Sequence, residues 1–108
     1  MKTIKTQINE LGPWYQKIII DGIPTGKKRD VNEAWKLIQK EFPINYSNKR
    51  ILDLGANAGY YSIMAANNGA SIEAYEKSYN QFKFLKQYFE ELWNTKLDIE
   101  YISETLRL

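Results

Sequence analysis

The sequence predicts an α/β domain built on a parallel sheet, preceded by a smaller attachment of different character. From about residue 50, short apolar runs alternate with helix-period segments in the order strand–helix–strand–helix–strand, joined by short connections. The first run ends in a glycine-containing turn, Asp53-Leu54-Gly55-Ala56-Asn57-Ala58-Gly59, that opens into a helix. Before about residue 48 the alternation is absent. The predicted domains are therefore 1–48, the attachment, and 49–108, the β/α part.

Composition limits the chemistry. The 108 residues are 44% apolar and 26% charged, as in an ordinary globular domain. There is no Cys, which excludes disulfides and thiolate metal sites, and no His, which removes the usual general base and the commonest metal ligand. No acidic cluster suggests a metal site. No run approaches the roughly 20 apolar residues that cross a bilayer, and Met1-Lys2-Thr3-Ile4-Lys5 lacks the apolar core of a signal peptide, so the chain reads as cytoplasmic, without a membrane partner. Charge is uneven, about +5 over residues 1–50 and −3 over 51–108. Much of the excess is the run Lys27-Lys28-Arg29, a solvated loop or a contact for an anionic substrate such as RNA.

Within the attachment, Tyr15 to Ile20 reads as a short strand, Asp21-Gly22 as a hairpin turn and Ile23 as the start of a return strand. Asp30 is placed to cap a helix, with Glu33 as capping-box partner. Val31, Ala34, Trp35, Ile38 and Phe42 follow at helical spacing, and Pro43 closes the segment. In the β/α part, Ile51-Leu52-Asp53-Leu54 has the composition of a strand buried on both faces. A helix from about Tyr60 stops at Asn68-Gly69, Ser71 to Tyr75 forms a second strand, and a longer helix spans about Asn80 to Trp93. Phe82, Leu85, Phe89 and Leu92 are its expected core face, and Asp98 to Ile102 is a third strand.

The turn after the first strand lies where an open α/β sheet binds ligands. Glycines there let the backbone pass close under a ligand and turn sharply into the helix. Glu76 comes 23 residues after Asp53, at the end of the next strand, where a carboxylate can accept both hydroxyls of a ribose. A dinucleotide would require Gly at 57 and 60, where Asn57 and Tyr60 stand, and Asp53 would face its phosphates. S-adenosylmethionine has no phosphate and carries a sulfonium and an ammonium group, which a carboxylate suits. The residues favour that cofactor over NAD.

Ile51-Leu52-Asp53-Leu54-Gly55-Ala56-Asn57-Ala58-Gly59-Tyr60-Tyr61-Ser62 resembles motif I of class I (Rossmann-like) S-adenosylmethionine-dependent methyltransferases, and Glu76 resembles the acidic residue of their motif II. The resemblance implies a sheet of order 3-2-1-4-5-7-6, with cofactor across its first two strands. It assigns cofactor binding to Asp53, Gly55, Ala56, Asn57, Gly59, Glu76 and Lys77, and by position to Glu104 and Thr105 in the loop after the third strand. Tyr60 or Tyr61 would line the site. The pattern stops after the third strand, so the chain reads as the cofactor-binding half of such a domain, truncated and without turnover alone. The first strand would then expose an apolar edge open to self-association.

Two narrower resemblances bear on the substrate. Gly12-Pro13-Trp14-Tyr15, Ile18-Ile19-Ile20-Asp21-Gly22-Ile23-Pro24-Thr25 and Trp35-Lys36 resemble the lead-in of tRNA wobble-uridine (5-oxyacetyl) methyltransferase-like proteins, making tRNA a candidate acceptor. Trp14, Tyr15 and Lys36 are then candidate substrate or cofactor contacts. Carboxymethyl-transferring members have a Lys and a Trp where Leu11 and Val31 stand here, which favours the ordinary cofactor. The Gly-Ala-Asn-x-Gly-Tyr-Tyr-Ser wording also resembles FkbM-type methyltransferases, implying a small hydroxyl-bearing acceptor, although Lys77 replaces their usual Pro after the acid. The alternative from another class is a non-catalytic nucleotide-binding or interaction module that oligomerises through the open edge.

Overall fold

The structure, a computed structural model, describes residues 2–41, 45–77 and 79–102. The chain folds as two compact units, Met1–Pro43 and Ile44–Leu108.

The first unit contains α1 (Ile4–Leu11), β1 (Ile19–Ile20), β2 (Ile23–Pro24) and α2 (Val31–Glu41). Helix α1 was not anticipated. Ile4, Ile8 and Leu11 stand at helical spacing, but the helix is only eight residues long, barely two turns, and Ile8 alone is fully buried. Local bonds hold it: the Thr3 hydroxyl accepts from the Thr6 amide at 3.1 Å, and the Trp14 indole N–H donates to the Ile8 carbonyl at 2.8 Å. The hairpin turns at Asp21 and Gly22, whose φ angles of 51° and 76° are those of the left-handed turn that matches strand twist. The strand expected over residues 15–20 is shorter because Lys17 is diverted. Its amide donates to the Arg29 carbonyl at 2.9 Å and its carbonyl accepts from Val31, a parallel bridge to the start of α2. The Thr25 hydroxyl closes the hairpin base, accepting from the Ile18 amide and donating to the Gln16 carbonyl.

Asp30 caps α2 as expected, its Oδ1 accepting from the amides of Asn32 at 3.1 Å and Glu33 at 3.3 Å. The Glu33 carboxylate pairs with Lys36 at 3.8 Å. Val31 and Trp35 are buried with Ile8, Trp14, Ile18 and Ile20, whereas Ile38 is exposed. Phe42 and Pro43 lie outside the described residues. Asp30→Ala is expected to cost about 1 kcal/mol, read as a lower chemical-denaturation midpoint, because two amides of the first turn lose their acceptor.

The second unit contains β3 (Arg50–Leu54), α3 (Tyr60–Asn67), β4 (Ser71–Tyr75), α4 (Tyr79–Trp93) and β5 (Ile99–Ile102). The strands form one parallel sheet of order β3-β4-β5, with Asp53 opposite Ala74 and Ala74 opposite Tyr101. Ile72 and Ala74 of β4, Ile63, Ala65 and Ala66 of α3, and Phe82, Leu85 and Phe89 of α4 are buried. Fully burying a side chain the size of Ile63 or Leu85 contributes about 2 kcal/mol. Helix α3 is apolar on most sides, and its alanines let it lie close to the sheet.

Two expectations require correction. The first strand is not buried on both faces, since Leu52 and Leu54 are 55% and 51% exposed on the face opposite Asp53. Leu92 is not core but 60% exposed. The apolar stripe of α4 runs instead from Phe89 to Trp93, whose rings lie 4.6 Å apart, because four-residue steps track the helix face better there than three. No helix among the described residues is long and apolar enough to cross a membrane.

Candidate functional site

The turn from β3 into α3 sits at the carboxyl ends of the strands. The amides of Gly55 and Ala56 both donate to the Tyr75 carbonyl, at 2.9 and 3.1 Å, fastening the turn to the end of β4. The chain then passes through left-handed conformations at Gly55 (φ 68°), Asn57 (φ 56°) and Gly59 (φ 87°). The two glycines serve different ends. A Cβ on Gly59 would overlap the Phe82 ring, so this glycine is required by packing. A Cβ on Gly55 would meet nothing within 4 Å, so open space lies above the backbone there.

Asp53 faces α3, where the Ser62 hydroxyl donates to its Oδ2 at 2.5 Å. Burial raises its carboxyl above the ordinary aspartate value, the Ser62 bond opposes that shift, and the negative charge of Glu76 adds to it. The Glu76 amide donates to the Ile102 carbonyl at 3.0 Å, and its Oε2 accepts the Asn57 amide at 3.3 Å. Asp53 and Glu76 thus lie within each other's field, and among the described residues neither forms an ion pair with Lys or Arg. Such a pair of part-buried acids is costly alone and gains from a bound cation or from hydroxyl donors.

The structure brings together Asp53, Gly55, Ala56, Asn57, Gly59 and Glu76. Lys77 follows Glu76 with its side chain exposed. Glu104 and Thr105 lie outside the described residues. Trp14, Tyr15 and Lys36 belong to the first unit. The Trp14 indole is buried on α1, Tyr15 is 54% exposed with the Arg29 guanidinium 5.8 Å from its ring centre, and Lys36 is exposed beside Glu33. Tyr60 is buried, edge-on to Phe89, and is core rather than lining. Among the described residues no group of three or more His, Cys, Asp or Glu could hold a metal ion.

Three neighbours of the turn were not singled out as functional from the sequence. Ser62 stands at the third position of α3, and its spacing from Asp53 could have found it. The helical spacing of Phe82 assigns it to the core alone, yet it also fills the space a Gly59 side chain would need. Tyr101 stacks on Phe82 with ring centres 4.0 Å apart, and its hydroxyl reaches the Asn57 carbonyl at 3.4 Å. Only the register of β5 on β4 puts it there, and no local signal encodes that.

No protein-family model matches the chain, and no curated protein matches it. Solved structures do. EvdMO1 superposes with a TM-score of 0.58 at 21% identity over 96% of this chain and 23% of that one. The N-terminal domain of EvdMO1, crystallised in the presence of SAH and D-fucose, superposes with a TM-score of 0.56 at 24% identity over 94% of this chain and 44% of that one. This chain spans less than half of either. The likeness shows the fold, the α/β Rossmann-like class expected from the sequence.

Gly55→Ala tests the open space. Its left-handed φ would cost about 1 kcal/mol of stability or slightly more. A methyl group there should also obstruct any ligand that crosses the turn, so loss of ligand binding is expected to exceed the stability loss when titration and thermal melting are compared.

Proposed function

We propose that this chain holds S-adenosylmethionine at the β3–α3 turn and forms the cofactor-binding part of a methyltransferase. The observation that carries the reading is the Asp53–Glu76 pair, part-buried, mutually repelling and without a cationic partner among the described residues. Asp53 would attract the positive end of the cofactor, and Glu76 would accept from its ribose hydroxyls. Gly55, Ala56, Asn57 and Gly59 would form the floor, with Lys77, Glu104 and Thr105 at its margin. When bound, the cofactor supplies an electrophilic methyl group. The chain's own part is to orient it and limit water around it. The neighbour crystallised with SAH, the demethylated product, supports this cofactor.

For the acceptor we favour a small hydroxyl-bearing molecule over tRNA, supported by the neighbour crystallised with D-fucose. A tRNA acceptor would draw instead on Lys27, Lys28 and Arg29 and on Tyr15. The test of the cofactor is a thermal melt with S-adenosylmethionine, S-adenosylhomocysteine or NAD. A ligand at a hundred times its Kd stabilises the folded chain by about 2.7 kcal/mol, so the melting point should rise with both sulfur compounds and not with NAD. No rise with either would remove the reading.

A second reading is an interaction module that pairs β3 with a second copy. It is favoured by Leu52 and Leu54, which are exposed on a strand that has no partner on its other side among the described residues. Light scattering tests it: the reading needs a dimer that Leu52→Lys dissociates, and a monomer at all concentrations excludes it.

A further inference from the structure

We infer that Tyr101 is a positioning residue for the cofactor site, its hydroxyl holding Asn57 in the left-handed conformation that aims the Asn57 amide at Glu76. The inference deepens the function proposed above and rests on it for its binding readout. Asn57 has φ 56°, a conformation that costs a non-glycine residue roughly 1 kcal/mol or more unless its surroundings impose it. Three bonds impose it. The Asn57 amide donates to Glu76 Oε2 at 3.3 Å, its own side-chain Oδ1 accepts from the Ala58 amide at 2.9 Å, and its carbonyl accepts from Tyr101 at 3.4 Å. The first two come from the turn and the adjacent strand end. Tyr101 adds an anchor from β5, one strand further away.

Its ring is fixed independently of the hydroxyl. It stacks on Phe82 with an interplanar angle of 12°, and Phe82 in turn closes over Gly59. Both ends of the Asn57–Gly59 segment are therefore held by one aromatic pair, through a hydrogen bond at Asn57 and through packing at Gly59. Burial, together with the charges of Glu76 and Asp53, raises the phenol far above the ordinary tyrosine value, so the hydroxyl keeps its proton and remains a donor. The consequence is preorganisation: Glu76 meets the ligand with its position already set, and less order has to be imposed on binding.

Tyr101→Phe keeps the stack and deletes only the hydroxyl. It is expected to weaken S-adenosylmethionine and S-adenosylhomocysteine by the same factor, about 5-fold, because it acts on the turn and Glu76 and not on the sulfonium. The melting point should change little. In the ligand-free chain, hydrogen exchange of the Asn57 amide should quicken by a similar factor. The decisive arm is Glu76→Ala. Tyr101 is argued to reach the ligand only through Asn57 and Glu76, so in that background Tyr101→Phe should lose most of its effect on affinity. Unchanged Asn57 exchange in Tyr101→Phe overturns the positioning role whether or not the cofactor is the right one. An equal affinity loss with and without Glu76→Ala overturns it as well. Failure of the unmodified chain to bind either sulfur compound refutes the cofactor reading separately.

Discussion

Asp53→Asn is expected to weaken S-adenosylmethionine binding about 30-fold, with a smaller loss for S-adenosylhomocysteine, and to leave the melting point at pH 7 unchanged or higher. The affinity loss corresponds to about 2 kcal/mol, the scale of a hydrogen bond or contact to a charged group in a part-buried site. The demethylated compound lacks the sulfonium charge and keeps the ammonium, so it depends less on the carboxylate. The stability effect has the opposite direction because burial and Glu76 raise the Asp53 carboxyl above 3.8, which means that folding disfavours its ionised form. Its favourable contribution to folding is fully present below pH 3.8 and is lost as pH rises through the raised value. Above that value the charge is a liability in the empty protein, and Asn removes it while still offering an oxygen to Ser62.

The same linkage sets the pH dependence of binding. The cationic cofactor requires ionised Asp53, so its affinity should fall on acidification at a higher pH than an ordinary aspartate would dictate. Binding should also release protons in that range. Titration calorimetry in buffers of different ionisation enthalpy reads both effects, and Asp53→Asn should abolish the proton release.

Gly59→Ala is expected to be the most damaging single-methyl change in the second unit, costing about 3 kcal/mol of stability. Two penalties combine. A non-glycine residue at φ 87° costs about 1–2 kcal/mol, and overpacking against a ring costs about as much again. The methyl group would overlap Phe82, which cannot retreat because Tyr101 stacks on the same ring. Phe82→Leu in the Gly59→Ala background should recover part of the loss by making room. Chemical denaturation of the single and double variants measures it, and full additivity would show that the two residues do not collide.

The contrast between Gly59 and Gly55 shows what the sequence could and could not convey. Both glycines were legible as one motif, and the turn and the placement of Asp53 and Glu76 at adjacent strand ends follow from local spacing. So do the Asp30 cap, the Asp21-Gly22 hairpin and the boundaries of β4 and α4 to within a residue. The division of labour between the two glycines was not legible, because Phe82 meets Gly59 only after α4 has packed. Tyr101 was hidden for the same reason, since its role depends on strand register. Helix α1 was missed because its Ile4-Ile8-Leu11 pattern covers barely two turns, too few to stand out from a loop. The exposure of Leu52 and Leu54 escaped because a nearly continuous apolar run is the pattern of a strand covered on both faces, and here one of those faces is bare.

The most direct test of the central claim, that the Asp53–Glu76 pair holds a cationic methyl donor, is a calorimetric titration of the chain and of Asp53→Asn with S-adenosylmethionine at pH 7, with NAD as control. The account predicts saturable binding to the unmodified chain, about 30-fold weaker binding to the variant, and no heat of binding with NAD. Absence of binding to the unmodified chain, or equal affinity in the two proteins, would contradict it.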